Sequence, residues 1–129
     1  MLSVDTNVLA RYLLGDDPVQ KLLAEQTISD GAYVSLTVLL ETHWLLASRY
    51  RLSTKQIIQL INLLRENATI QIEADDWVDW MLERLGVGAD FADLVHLVAS
   101  QNQSAFATFD QAMTKQAGEN SPAKILVLR

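Results

Sequence analysis

An α/β fold, built on a parallel sheet with helices on both faces, is what the sequence predicts. Short apolar stretches bounded by turn residues alternate with longer segments of helical periodicity along the chain. The helical segments open on capping residues and carry apolar stripes. No repeat, low-complexity tract or Pro/Gly/Ser linker breaks the alternation, and 129 residues are enough for one domain with a real core.

Leu2–Asp5 reads as a short buried strand, and Val8–Leu14 as a helix with Asn7 as its N-cap. Gly15-Asp16-Asp17 ends that helix, and Pro18 opens a second one running to about Ser29. Asp30-Gly31 is a turn before a strand over Ala32–Val34. Ser35 caps a long helix from Leu36 to about Tyr50. Ser53 caps another over Thr54–Glu66, where Ile57, Leu60, Ile61 and Leu64 share one face. Thr69–Ile72 alternates as a strand, and Asp75–Leu85 is helical until Gly86-Val87-Gly88 closes it. A further helix covers Phe91 to about Gln101, followed by a strand at Ala105–Thr108, a short helix at Gln111–Gln116 and a last strand at Lys124–Leu128. In such sheets ligands bind beyond the carboxyl ends of the strands, and Asp5 and Asp110 both fall there.

Composition removes several classes of chemistry. The chain has no Cys, which excludes disulfides, thiolate metal sites and cysteine nucleophiles. No apolar run approaches the roughly 20 residues that cross a bilayer, and no basic stretch followed by an apolar one marks a signal peptide. A cytoplasmic protein is the expectation. The formal charge is −6, with 16 acids against 10 Lys and Arg, which by itself argues against a nucleic-acid partner. Placing four acids in one metal site leaves 12 against 10, and one divalent ion balances the remainder.

Five acids stand out by position. Glu41 lies in LTVLLETHWLL among Leu39, Leu40, Leu45 and Leu46, either on a solvent-facing stripe or aimed into a polar pocket, with Thr37 one turn before it. Asp90 and Asp93 in GVGADFADLVHLVAS fit a helix start, with Asp90 as N-cap, although Leu94, Val95, Leu97 and Val98 crowd Asp93. Asp110 in ATFDQAM either caps the short helix after it or faces the sheet edge, and Thr108 can bond within the same turn. For Asp5 a capping role is weaker, because Asn7 is the better-placed cap. Carboxylates gathered together repel one another unless a cation joins them. An oxygen-only donor set suits Mg²⁺ or Mn²⁺, which activate water and neutralise a phosphodiester's leaving oxygen.

These stretches, in order and spacing, carry a resemblance. MLSVDTNVLARYLLGDDPVQ, SLTVLLETHWLLASRYRLS, GADFADLVHLVAS and ATFD resemble the PIN-domain ribonucleases of VapBC-type toxin–antitoxin systems. The resemblance implies a three-layer fold over residues 1–129, with a central parallel sheet of about four or five strands and an acidic pocket at one edge. It also implies a Mg²⁺- or Mn²⁺-dependent endoribonuclease acting on tRNA or ribosomal RNA, with a cognate antitoxin as partner. Carried over by motif, Asp5, Glu41, Asp93 and Asp110 are the catalytic metal ligands and Asp90 a possible fifth; Thr6, Asn7 and Thr108 hold the carboxylates. Val95 and His96, after the third acid, depart from the small residues usual there, and the tail QAGENSPAKILVLR is less typical.

Arg11, one turn after Asn7, and His96, three residues after Asp93, are RNA-contact candidates, against a plain surface role for Arg11 and a partly buried structural one for His96. His43 is on another side of its helix from Glu41 and reads as structural. Arg49, Arg51 and Lys55 form a small basic patch or compensate a helix C-terminus. Trp77 and Trp80, with Met81, read as core or subunit interface. The apolar segments Val38–Leu46 and Ile57–Leu64 exceed what one small domain easily buries, which predicts a homodimer and a groove for an antitoxin segment. Two other readings compete: a catalytically silent PIN-like module binding RNA or protein, and a receiver-like Mg²⁺-binding signalling domain. The receiver would want adjacent acids after the first strand and a Lys near the pocket, whereas Asp5 stands alone before Thr6. A haloacid-dehalogenase-type phosphatase would need a second Asp where Asn7 stands.

Overall fold

The computed structural model describes all 129 residues and contains seven α-helices and five short strands, every strand pairing parallel. The chain divides into two compact units, Met1–Asp75 and Asp76–Arg129.

The first unit runs β1 (Leu2–Ser3), α1 (Thr6–Leu14), α2 (Pro18–Ser29), β2 (Ala32–Val34), α3 (Leu36–Ser48), α4 (Thr54–Glu66) and β3 (Ile70–Ile72). Its strands order β1-β2-β3, with Ser3 opposite Tyr33 and Tyr33 opposite Gln71. Parallel neighbours need helical crossovers, and the α1–α2 and α3–α4 pairs provide them. The pairing extends past the strands: Val4 N donates to Tyr33 O at 3.0 Å and Glu73 N to Val34 O at 2.8 Å. The carboxyl ends of the three strands therefore share one edge, which brings Asp5, Ser35 and Glu73 to the same rim.

The helix boundaries follow local chemistry. Asp17 caps α2 and Pro18 opens it, at a position where the missing N–H has no partner to lose. Ser35 caps α3 through Val38 N. Ser53 and Gln56 form a reciprocal capping box at α4. Gly15 ends α1 at φ 63°, a left-handed conformation that favours glycine, and so reverses the chain into α2. Leu9, Ile28, Val34, Leu39, Leu46, Ile57, Ile61 and Leu64 are essentially inaccessible and form this unit's core. Most of the apolar surface of α3 and α4 is thus consumed within the chain. The large exposed apolar side chains are instead Val19, Leu22 and Leu23 of α2, Trp44 of α3 and Leu63 of α4. Of the segments Val38–Leu46 and Ile57–Leu64, Trp44 and Leu63 stay exposed, and α2 adds Val19, Leu22 and Leu23.

A 3-10 turn at Asp75–Trp77 leads into the second unit. It runs α5 (Val78–Gly86), α6 (Phe91–Ala99), β4 (Phe106–Thr108), α7 (Met113–Ala117) and β5 (Ile125–Val127). β4 and β5 pair in parallel, with Phe106 opposite Ile125 and Thr108 opposite Val127, and α7 lies in the crossover. Val78, Met81, Leu94, Leu97, Val98 and Ala117 are buried. Trp80 is buried as expected, edge-on to Trp77 with centroids 6.0 Å apart, and its indole N–H donates to Ala117 O at 3.1 Å.

Candidate active site

In the first unit the short strand β1, exposed at Leu2 and Ser3 where a buried strand is expected, leads through buried Val4 to Asp5 at the start of α1. Its Oδ1 accepts from Val8 N at 3.0 Å, so Asp5, not Asn7, is the helix cap. The physical reason is that the chain already turns helical at Thr6, which places Asn7 inside the first turn, exposed, with no free N–H ahead of it to cap. Thr6 is 6% exposed, and its hydroxyl donates to Glu41 Oε1 across 35 residues of sequence. Glu41 itself is exposed on α3. Asp5, Thr6, Asn7, Glu41, Trp44 and Leu45 line one cavity of about 240 Å³. Thr37 does not join this group; its hydroxyl sits 3.0 Å from Ser35 Oγ. Glu73, at the same strand rim, accepts from Leu36 N at 3.0 Å.

In the second unit Asp90 caps α6, with Oδ1 accepting from Asp93 N at 3.2 Å. Asp93 Oδ2 accepts from Gln116 Nε2 at 3.0 Å, while Gln116 Oε1 accepts from Asp90 N at 2.8 Å. Gln116, on α7, therefore ties Asp93's carboxylate and Asp90's backbone with one amide. No sequence signal marks it, since a single Gln on a short helix is an ordinary surface residue. Asp110 lies past β4, exposed; its N–H donates to Thr108 Oγ1 at 3.0 Å and its Oδ1 accepts from Ala112 N at 2.8 Å. His96 is exposed on α6 and stacks on Phe106, with ring centroids 6.2 Å apart.

The acids share an electrostatic pattern. Arg11–Asp16, Lys21–Glu25 and Arg65–Asp75 form ion pairs; none of these involves Asp5, Glu41, Asp90, Asp93 or Asp110. Each of these five has one carboxylate oxygen fixed by an N–H or O–H and the other without a protein partner. An all-oxygen, anionic donor set of this kind suits a hard divalent cation. Asp5 and Glu41 offer two such donors in one cavity, and within neither unit do three His, Asp or Glu side chains gather as a ready ligand group.

A family model described as the PIN domain matches residues 2–119 of the chain. No curated protein and no solved structure matches it.

Proposed function

Because the chain belongs to the PIN-domain family, a nuclease-type fold, we propose that it is a metal-dependent endoribonuclease and the toxin of a toxin–antitoxin pair. The whole chain is read as one such domain. Its substrate is RNA, of the tRNA or ribosomal class, and its compartment the cytoplasm. The observation that carries the reading is that five acids at element ends or in apolar helices are all free of Lys and Arg, each with one oxygen unused. Asp17 and Glu73 share that freedom from Lys and Arg, as a helix cap and as the acceptor for Leu36 N, so the weight falls on Asp5 and Glu41, which also line one cavity.

In this reading Asp5, Glu41, Asp93 and Asp110 hold Mg²⁺ or Mn²⁺, with Asp90 as a cap that can also turn toward the site. A bound divalent cation supplies an activated water and compensates charge on the phosphodiester's leaving oxygen. The rest is positioning by the chain. The Thr6 hydroxyl orients Glu41, the Val8 N–H fixes Asp5, the Gln116 amide fixes Asp93, and Thr108 shapes the turn that presents Asp110. Asn7, exposed in the same cavity as Asp5 and Glu41, faces the substrate side. Exposed Val19, Leu22 and Leu23 on α2 and Trp44 on α3 support contact with a cognate antitoxin and with a second copy of the chain.

Wild type and Asp5→Asn, purified free of antitoxin, are incubated with total RNA in Mg²⁺ or in EDTA. Cleavage by wild type with metal alone, leaving 5′-phosphate and 3′-hydroxyl ends, is expected. Equal cleavage by Asp5→Asn means a contaminating nuclease and overturns the assignment. Light scattering coupled to size exclusion tests the dimer, which a monomer at micromolar concentration refutes.

A further inference from the structure

We propose that Arg11 and Arg49, with Tyr50, form a second anion subsite in the first unit that grips a backbone phosphate of the bound RNA strand, away from the carboxylates. The proposal rests on the ribonuclease reading above. A cavity of about 280 Å³ opens between α1 and the end of α3, lined by Asn7, Arg11, Asp16, Leu45, Arg49 and Tyr50 among others. Asn7 and Leu45 also line the cavity that holds Asp5 and Glu41, so the two hollows adjoin.

Helix periodicity explains the layout. Asn7 and Arg11 are four residues apart on α1; Glu41, Leu45 and Arg49 follow one another at the same interval along α3 and its C-cap. The acids occupy one end of this track and the guanidinium groups the other, about 12 Å apart at 1.5 Å per residue. A strand whose reacting phosphate lies at Asp5 and Glu41 can therefore place the phosphate about two nucleotides along at Arg11 and Arg49.

The chemistry fits a phosphodiester monoanion. Arg11 donates from Nη1 to Asp16 at 2.7 Å and from Nε to Gln20 Oε1 at 2.7 Å, which locks the guanidinium plane and leaves Nη2 without a protein acceptor. The Tyr50 hydroxyl donates to the other Asp16 oxygen at 3.1 Å. Asp16 neutralises one cation, and Arg49 is exposed with no ion pair. The hollow thus carries one net positive charge in a chain whose total is −6. Arginine forks suit phosphate oxygens, and a local positive site at the end of an acidic track fixes the direction in which a strand lies.

The test uses the full chain carrying Asp5→Asn, to stop cleavage, and a fluorescein-labelled single-stranded 12-mer of uridylate. Anisotropy titrations at several salt concentrations give the slope of log K against log salt. Each phosphate neutralised on a single strand contributes about −0.7 to that slope. Arg49→Ala should flatten it by about 0.7 and weaken binding, Arg49→Lys should restore the slope, and Arg11→Gln should act like Arg49→Ala. Arg49 has no partner to lose, so its variant keeps the fold, which circular dichroism checks. Unchanged slope and affinity in Arg49→Ala, or no measurable binding by the Asp5→Asn parent, overturns the subsite. A subsite failure leaves wild-type metal-dependent cleavage intact, whereas failure of the ribonuclease reading abolishes that cleavage; the two are read separately.

Discussion

Replacing Thr6 with Val separates the stability of the first unit from the preparation of its carboxylates. Val is nearly the same shape as Thr and lacks the hydroxyl that donates to Glu41 Oε1. A hydrogen bond to a charged acceptor contributes about 1.5–3 kcal/mol when buried. Glu41 is exposed, so water takes over as donor and the loss falls to about 1 kcal/mol. Thr6 is 6% exposed, and the added methyl returns up to about 0.8 kcal/mol. The net change in unfolding free energy is below about 1 kcal/mol, a few degrees in Tm at most. The consequence for metal binding is far larger, because groups that orient ligands typically change affinity or activity by about 10–100-fold. Urea denaturation followed by calorimetric Mn²⁺ titration measures both quantities on one sample. Thr6→Ser, which keeps the hydroxyl, should recover the affinity. A Thr6→Val protein that binds Mn²⁺ as tightly as wild type, or a Thr6→Ser protein equally impaired, refutes the reasoning.

Gln116→Leu removes the hydrogen bonds from Asp90 N to Gln116 and from Gln116 to Asp93; cleavage should fall by about 10-fold or more, and Gln116→Glu should lower it further by setting a second carboxylate against Asp93. Steady-state cleavage of a fluorogenic oligonucleotide reads this, and wild-type rates in both variants refute it. The hydrogen bond from Arg11 holds the Asp16 carboxyl below the usual range, with burial opposing and the Tyr50 hydroxyl assisting. A depressed folded-state value means that this pairing supports the fold above the ordinary Asp range and is lost as the pH falls through the lowered value. Carbon-detected NMR titration should show Asp16 titrating below that range in wild type and within it in Arg11→Gln; identical curves contradict the assignment. Leu94→Ala, at an inaccessible site on α6 beside Asp93, should destabilise by about 2–5 kcal/mol, visible as a lower denaturation midpoint.

The element order was legible because the local signals agree with the fold: Pro18 after Asp17, Gly15 at a left-handed turn, Ser53 with Gln56. Strand ends shrank relative to the sequence reading, since only residues inside the ladder count as strand, while Val4 and Leu128 still bond across it. The first cap was misread because both Asp5 and Asn7 cap well and only the backbone decides which stands outside the helix. Gln116 was invisible because its partners are 23 and 26 residues away and a neutral amide has no distinctive spacing. Exposed apolar residues lie on α3 and α4 at Trp44 and Leu63, but those on α2 escaped the sequence reading because hydropathy alone does not say which helix faces a neighbour. Leu39, Leu46, Ile57 and Leu64 are inside, and Leu22 and Leu23 of α2 are not.

Capping and metal ligation are compatible roles for these acids. A backbone N–H that holds Oδ1 of Asp5, Asp90 or Asp110 fixes the plane of the carboxylate. Its second oxygen is then pre-aimed with little side-chain entropy left to lose. Asn caps a helix about as well as Asp, but an amide is a much poorer ligand for Mg²⁺ or Mn²⁺ because it brings no charge. Asp→Asn at each of these positions should therefore leave the urea midpoint nearly unchanged. At Asp5 and Asp110 it should abolish Mn²⁺ binding, whereas at Asp90 binding should fall far less if that residue acts mainly as a cap. Loss of stability at Asp5 or Asp110 in step with the loss of metal would show that the carboxylate charge serves the fold itself, and the ligand assignment for those two residues would fail.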